Sequence, residues 1–489
     1  MRRRSDDDEK VIVPFPTSPV SNLEWLPPEP TAKQRLAEKL IAEETAKRAK
    51  RHGMTRAQFL RTAAATATAF MVLNKIHGLD QTGDAAAMPI GQQHCDDLDA
   101  ARELLDWDIF IMDVQQHHVD PMFTDTTFCF LDFSDGARRL GNHLSGLPCP
   151  ENIGQTSFIR EVFINSQTHV GVLSGLPYGL PLGPEGMAKT RDLVNELAGS
   201  QRALSQAIVD PTLPPGGPTS IETLEHQVRD LKASALKCYT YSGPNGWRLD
   251  DEKVAYPVLS EASRLGLRLV NVHKGLPAIF APGSPETVRT TDFPKVVRDF
   301  PHLRFCAYHS GYFQGNTHPE GLRGITEFIQ VIESMPPPDR RRVYAEIGST
   351  FPIVLLQGAD QAAHFIGQLL KTLGSRNIIW GTDSIWWGSP QFLIDAFKGL
   401  VIPTSMQEQF GYPPLTIKAK RRILGGNAAL LYGLKPHALN LCTIPPDRLT
   451  QAQAEQGGFR AGRSLVAYGP RTRRQFFAMR RQEERFNQG

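Results

Sequence analysis

Two histidines and an aspartate follow apolar runs that read as strands. His273 closes LRLVNVHKG, His309 follows LRFCAY, and Asp383 follows Asn377–Trp380 within IIWGTDSIWWGSP. A fourth run, Asp108–Val114, leads into Gln115-Gln116-His117-His118. Imidazole and carboxylate together suit a borderline divalent cation, Zn²⁺ first and Mn²⁺ or Fe²⁺ behind it. Taken singly, each residue has a structural reading: a hydrogen-bonded core histidine, or an aspartate that caps a helix or makes a turn. Their joint placement at strand ends is what points to one shared site. Glu346 ends RVYAE, Lys237 lies in ALKCY, and Trp386-Trp387 follow Asp383. These are candidates for substrate contact: Lys237 as the partner of a carboxylate, Glu346 as a substrate or supporting group, and Trp386 as a pocket wall.

Residues so far apart in the chain meet only if the strands converge. From about residue 106 the sequence alternates strand-like and helix-like runs. The strands are expected at 108–114, Glu161–Asn165, Leu204–Asp210, Ala235–Tyr239, Leu267–Val272, Leu303–Tyr308, Arg342–Glu346 and Asn377–Trp380. Helices are expected between them, as at Glu185–Leu197 and Glu252–Leu265, the latter stopped by Gly266. Eight such repeats predict a (β/α)₈ TIM-type barrel over residues 106–434, whose strand ends share one face. Distance along the chain then does not separate the candidate ligands.

The set resembles the amidohydrolase-related metalloenzymes, in the branch that includes aminocarboxymuconate-semialdehyde decarboxylase. That pattern has His-x-His on strand one, a histidine ending strand five, another ending strand six and an aspartate ending strand eight. Here His273, His309 and Gly381-Thr382-Asp383 match, and Ile423-Leu424-Gly425-Gly426-Asn427-Ala428-Ala429 resembles the closing segment. The resemblance implies one divalent metal, Zn²⁺ first, held by His117, His273 and Asp383, with Gln115 as a weak fourth candidate. It implies Asp383 and His309 as the acid–base pair. It implies hydrolysis of a C–N or C–O bond in a small cyclic or aromatic acid, or non-oxidative decarboxylation; hydrolysis is placed first as the wider class. In other branches a lysine on strand four is carbamylated, a role open in principle to Lys237. The departure is at strand one, where Gln115 stands in place of the first histidine. Strand alternation groups 115 with 117, and the other register, Gln116 with His118, also supplies a single imidazole. A neutral carbonyl is the poorer Zn²⁺ ligand. A barrel that binds a ligand without catalysis is therefore the competing reading.

Composition sets the frame. The 489 residues are 40% hydrophobic and 21% charged, with a net charge of +3 that makes no case for nucleic acid. The six cysteines form no CxxC pair. Residues 1–53 are charged, then proline-rich, then a mixed-charge helix at 31–51, and are expected to be a disordered or exposed, dispensable extension. Residues 54–87 carry basic residues ahead of an alanine-rich apolar run, the layout of an export signal. Thr55–Arg61 resembles a twin-arginine motif but has Ala57 where the second arginine should stand. Periplasmic and cytoplasmic locations both stay open. The run is too short for a stable membrane span. Residues 435–489 are expected to pack on the outside of the barrel. The arginines of 471–474 read as part of a solvated tail. A small molecule is the expected partner, and homo-oligomerisation stays open.

Overall fold

The computed structural model describes residues 13–22, 24–79, 86–119, 153–176, 182–217, 219–243, 245–278, 281, 284–315, 317–434 and 446–477. Among the described residues, eight parallel strands run in chain order around a ring. They are β1 (Met112–Gln116), β2 (Val170–Leu173), β3 (Ala203–Ser205 and Ala207–Ile208, broken at Gln206), β4 (Leu236–Cys238), β5 (Leu269–Gly275), β6 (Arg304–Tyr312), β7 (Val343–Glu346) and β8 (Ile378–Ile379). The ring closes between β8 and β1. Val114 N–H donates to the Trp380 carbonyl at 3.1 Å, Asp383 N–H to Gln115 at 3.0 Å and His117 N–H to Ser384 at 2.7 Å. The expected (β/α)₈ barrel is the fold.

Hydrogen bonds that cross the ring mark its interior. Tyr308 on β6 donates to the Val114 carbonyl on β1 at 2.7 Å. Gln206, at the break in β3, donates to the Tyr308 hydroxyl at 2.8 Å and accepts from Asn271 on β5 at 3.0 Å. Around these polar links pack Met112, Val114, Val172, Leu204, Leu269 and Ile379, closed off by Ala428 and Ala429. The larger cluster lies between the strands and the surrounding helices. Such layered side chains make the barrel a filled core rather than a pore.

One strand assignment is corrected. Glu161–Asn165 is not β2: Arg160–Ile164 forms one π-helical turn continuing from the helix Gln155–Ile159, and the strand lies further on, at Val170–Leu173. A short apolar run carries no periodicity that separates a buried turn of helix from a strand.

The chain ahead of the barrel differs more. Val13, Phe15, Val20 and Trp25 are buried, as are parts of the helix α1 (Ala32–Arg51). Thr31 and Gln34 form the capping box that starts α1. Two further helices, α2 (Arg56–Leu60) and α3 (Ala63–Ile76), contain the export-like run, and in α3 all residues from Ala63 to Phe70 are buried. Phe15 stacks on Phe392 at 5.1 Å and meets Phe70 at 4.9 Å. The expected disordered or exposed extension is thus, over its described residues, packed structure. Few anchors are needed when they land on a surface already built. Residues 1–12 of this extension lie outside the described residues.

The C-terminal segment also packs on the barrel. Arg202 and Asp447 form a buried ion pair at 2.8 Å, and Arg460 bridges Asp106 and Asp395. Arg471 is not part of a solvated tail: it donates to Ser18 at 3.0 Å and pairs with Glu38 at 3.1 Å. Among the described residues, no helix is long and apolar enough to cross a membrane.

Candidate metal centre

The site forms where the strands end in left-handed backbone. His309, Ser310 and Gly311 have φ of 65°, 54° and 64°, Ser349 has 51° and Asp383 has 58°. Non-glycine residues adopt this region at a cost of roughly 1–3 kcal/mol each, and such strain gathers at functional sites. Here it falls at the end of β6 and on the turns that follow β7 and β8.

Each of three buried imidazoles is fixed by a main-chain carbonyl on one nitrogen. His117 Nδ1 contacts the Ser174 carbonyl at 2.5 Å, His273 Nε2 that of Leu276 at 3.2 Å, and His309 Nδ1 that of Gly348 at 2.8 Å. A carbonyl accepts only, so these nitrogens carry the protons and the opposite nitrogens offer lone pairs. His117 Nε2 lies 3.3 Å from Asp383 Oδ1, and His309 Nε2 lies 3.4 Å from the Gln115 amide nitrogen. His273 Nδ1 is buried without a hydrogen-bond partner. A carbonyl that holds one ring nitrogen and leaves the other free is the usual arrangement of a ligating histidine.

Asp383 is the hub. Its Oδ1 accepts from Gln115 at 3.2 Å, and its Oδ2 accepts from Ser349 at 2.5 Å and from Asn22 at 3.1 Å. Burial pushes its pKa up, but the donors around it, the Ser349 hydroxyl among them, more than reverse this, and the carboxyl is held well below its usual range. Burial and the Lys237 charge push His273 down to about 3; burial and His273 push His309 down to about 4. Both stay neutral, the form a cation requires.

The strand-one register is 115 with 117. Gln115 and His117 both reach Asp383, whereas His118 turns to Thr190 at 2.9 Å. Lys237 is buried with no hydrogen-bond partner for its ammonium, which lies 3.7 Å from the Tyr308 ring centre and 4.7 Å from that of Tyr239. Burial brings its pKa down to about 8. Glu346, the candidate substrate or supporting group, holds main-chain donors at the site. One oxygen accepts from His309 N–H at 3.0 Å and the other from Gly348 N–H, so it brackets the two loops that carry the site. Burial raises its pKa to about 8. Trp386 is tied to the C-terminal segment, its carbonyl accepting from Tyr468 at 2.8 Å and Gly469 at 2.9 Å.

Three participants were not expected from the sequence. Asp113 accepts from Thr382 N–H at 3.1 Å and from the Thr382 hydroxyl, which joins β1 to the Asp383 loop. Asn22 and Glu24 come from the segment ahead of α1. Glu24 Oε2 is 3.5 Å from His273 Nδ1, and its Oε1 accepts from Tyr241 at 2.9 Å. Among the described residues near the barrel mouth, the ligand atoms that all lie within 4.8 Å of one another belong to Glu24, His273 and His309. His117, His273 and Asp383, the trio expected to hold a metal, do not form so tight a group. The only cue to Glu24 was an aromatic residue, Trp25, beside it in a proline-rich stretch.

The donor set fits a divalent cation on the structure's own terms. Lone-pair nitrogens and carboxylate oxygens face one another in a buried site, which is unfavourable without positive charge among them.

This fold and donor set agree with the family comparison: residues 188–434, just over half of the chain, match the Amidohydrolase family, and the chain belongs to it. No curated protein matches the chain. Among solved structures, 5-carboxyvanillate decarboxylase from Sphingomonas paucimobilis is 13% identical, with 67% of this chain and 100% of that chain covered and a TM-score of 0.41. 2,6-Dihydroxybenzoate decarboxylase from Rhizobium is 13% identical, with 67% and 99% covered and a TM-score of 0.39. A putative 2-pyrone-4,6-dicarboxylic acid hydrolase from Pseudomonas putida is 15% identical, with 67% and 98% covered and a TM-score of 0.38.

Proposed function

We propose that the chain is a metal-dependent hydrolase of the amidohydrolase family, acting on a small cyclic or aromatic acid. The observation that carries this reading is the pair of carbonyl-fixed imidazoles, His117 and His273, whose other nitrogens turn toward buried carboxylates. His117, His273 and Asp383 would hold the cation, Zn²⁺ first and Mn²⁺ or Fe²⁺ behind it, with Gln115 beside them. A cation bound there supplies Lewis acidity and lowers the pKa of water toward neutrality.

The chain's own groups do the rest. Asp383, ionised and held by Ser349, accepts the proton of the attacking water. His309 keeps one N–H on the Gly348 carbonyl and turns its other nitrogen inward, where it exchanges a proton with the attacked or leaving oxygen. Lys237, a buried ammonium with no hydrogen-bond partner, pairs with a carboxylate of the substrate. Glu346 keeps His309 in register through its main-chain N–H.

Non-oxidative decarboxylation is the second reading. Lys237 favours it equally, because a buried cation that anchors a carboxylate serves either reaction. The test is a panel of carboxylated lactones, cyclic amides and aromatic acids offered to Zn²⁺- or Mn²⁺-loaded protein. Proton release reports the opening of a lactone, chromatography of the amino acid product reports the opening of a cyclic amide, which frees no net proton, and CO₂ release reports decarboxylation. Ring opening that Asp383→Asn abolishes supports the hydrolase. CO₂ release alone supports the second reading. Protein that holds no divalent cation by elemental analysis overturns both and leaves a ligand-binding barrel.

A further inference from the structure

We propose that Glu24 is a ligand of the cation, carried into the site by the N-terminal segment to make good the imidazole that β1 lacks. This rests on the metal-centre reading above and adds to it a donor from outside the barrel.

The first ground is the facing pair Glu24 and His273. His273 gives its Nε2 proton to the Leu276 carbonyl at 3.2 Å, which leaves a lone pair on Nδ1. That nitrogen is fully buried and lacks a hydrogen-bond partner, and a carboxylate oxygen of Glu24 stands 3.5 Å away. Two acceptors aimed at each other repel in a dry site; a cation shared between them makes both contacts favourable. His309 completes a group whose ligand atoms all lie within 4.8 Å of one another.

The second ground is the support around Glu24. Its Oε1 accepts from the Tyr241 hydroxyl at 2.9 Å, and its Oε2 accepts from the Asn22 amide at 2.8 Å. The same amide nitrogen reaches Asp383 Oδ2 at 3.1 Å. The Tyr241 ring meets His273 edge-on with ring centres 4.9 Å apart. Ligating carboxylates are oriented by such outer hydrogen bonds.

The third ground is that both termini hold the segment in place. Ser21 N–H donates to the Pro470 carbonyl at 2.9 Å, and Arg471 grips Ser18 and Glu38. Gly469 lies so close to the Ser21 carbonyl that no side chain fits there. Cation affinity is then coupled to the anchoring of the chain's two ends, so loosening the Arg471 grip weakens binding without removing a donor.

The experiment is a Zn²⁺ competition titration against a chromophoric chelator on the full chain and on Glu24→Gln, Arg471→Ala and Asp383→Asn. The visible absorption of Co²⁺-loaded protein is recorded alongside. Glu24→Gln keeps the length of the side chain and its carbonyl toward Tyr241 but turns an NH₂ toward the Asn22 amide, and its metal-free thermal midpoint measures that local cost. Its Zn²⁺ affinity should fall roughly tenfold or more, and the Co²⁺ bands should shift. Arg471→Ala should lower affinity by a smaller factor. If Glu24→Gln fails to fold, Glu24→Asp replaces it, with an intermediate affinity and a shifted Co²⁺ spectrum expected. Wild-type affinity and an unchanged spectrum in the Glu24 variant, with binding lost in Asp383→Asn, overturn the Glu24 proposal and leave the metal centre standing. Absence of binding in wild type overturns both.

Discussion

The amide of Asn22 donates to Oδ2 of Asp383 at 3.1 Å, across 361 positions of sequence. A residue from the segment ahead of the barrel thus touches the carboxylate that ends its last strand. The N-terminal segment and the site are one structure, and removing the first should damage the second.

A chain beginning at residue 88 should therefore not keep the thermal midpoint of the full chain. It loses Phe15, Phe59, Phe70 and the buried face of α3. The point substitution Phe15→Ala isolates part of the effect, since this ring lies between Phe70 and Phe392. Its truncation should cost about 3–5 kcal/mol, read from urea midpoints at constant m-value. A cost within ±0.5 kcal/mol, the range of surface changes, would mean that the segment is not docked in solution.

Gln115→His should tighten cation binding. Gln115 sits between His309 Nε2 and Asp383 Oδ1, at 3.4 and 3.2 Å, where an imidazole would offer a second strand-one nitrogen. The gain should be about tenfold or more, at ~1.4 kcal/mol per factor of ten. Asp383→Asn should act in the opposite direction. Equal affinities for wild type and both variants, by chelator competition, would place the cation elsewhere.

His169 gives a pH prediction away from the site. Its Nδ1 accepts from Ile111 N–H at 3.1 Å, and burial with the nearby Arg202 charge pushes its pKa down to about 3. The folded pKa is below the unfolded one, near 6.5, so the unfolded chain binds the extra proton. This contribution to stability is full above about pH 6.5 and is lost as the pH falls toward 3, at up to ~1.4 kcal/mol per unit. Urea unfolding from pH 7 to 4 should show wild type losing stability faster than His169→Asn. Parallel slopes would rule out His169 as a source of acid lability.

Lys237→Met should separate stability from binding. The ammonium is buried without a hydrogen-bond partner, and methionine is of similar length. Removing a poorly compensated buried charge is neutral or stabilising by up to a few kcal/mol. The thermal midpoint should hold or rise, while KM for a carboxylate substrate rises by a factor of ten or more. An unchanged KM would exclude Lys237 as the anchor.

The barrel was legible because every strand from β3 to β8 is an apolar run bounded by turn residues, and the periodicity of the intervening helices is local information. The ends of β5, β6 and β8 were legible for the same reason: His273, His309 and Asp383 each follow directly on such a run. β2 was missed because Val170–Leu173 is four residues with a glycine inside, whereas EVFIN is longer and carries bulkier apolar side chains yet is helical. Glu24 and Asn22 were missed for a different reason. Composition averages over a segment, and the proline- and charge-rich chain from residue 1 to 30 reads as unable to build a core. It does not need to build one; Val13, Phe15, Val20 and Trp25 are set into a core that the barrel supplies.

The last prediction concerns Gly381, which is glycine because of a neighbour rather than a backbone angle. A Cβ at this position would collide with Glu346 Oε1 and crowd the Gln115 side chain. Glu346 is the bracket that accepts from His309 N–H and Gly348 N–H, so displacing it leaves two buried donors without their acceptor. An unsatisfied buried donor costs about 1–3 kcal/mol, and Gly381→Ala should therefore destabilise the chain by several kcal/mol. Glu346→Ala alone should be costly by the same loss. The two costs should not add: once the carboxylate is gone, the methyl at 381 occupies vacated space and its further cost should be small. A double-mutant cycle by urea unfolding measures this, with an expected coupling of about 1–3 kcal/mol. If Gly381→Ala costs as much in the Glu346→Ala background as in wild type, the collision with Glu346 is not what requires glycine there.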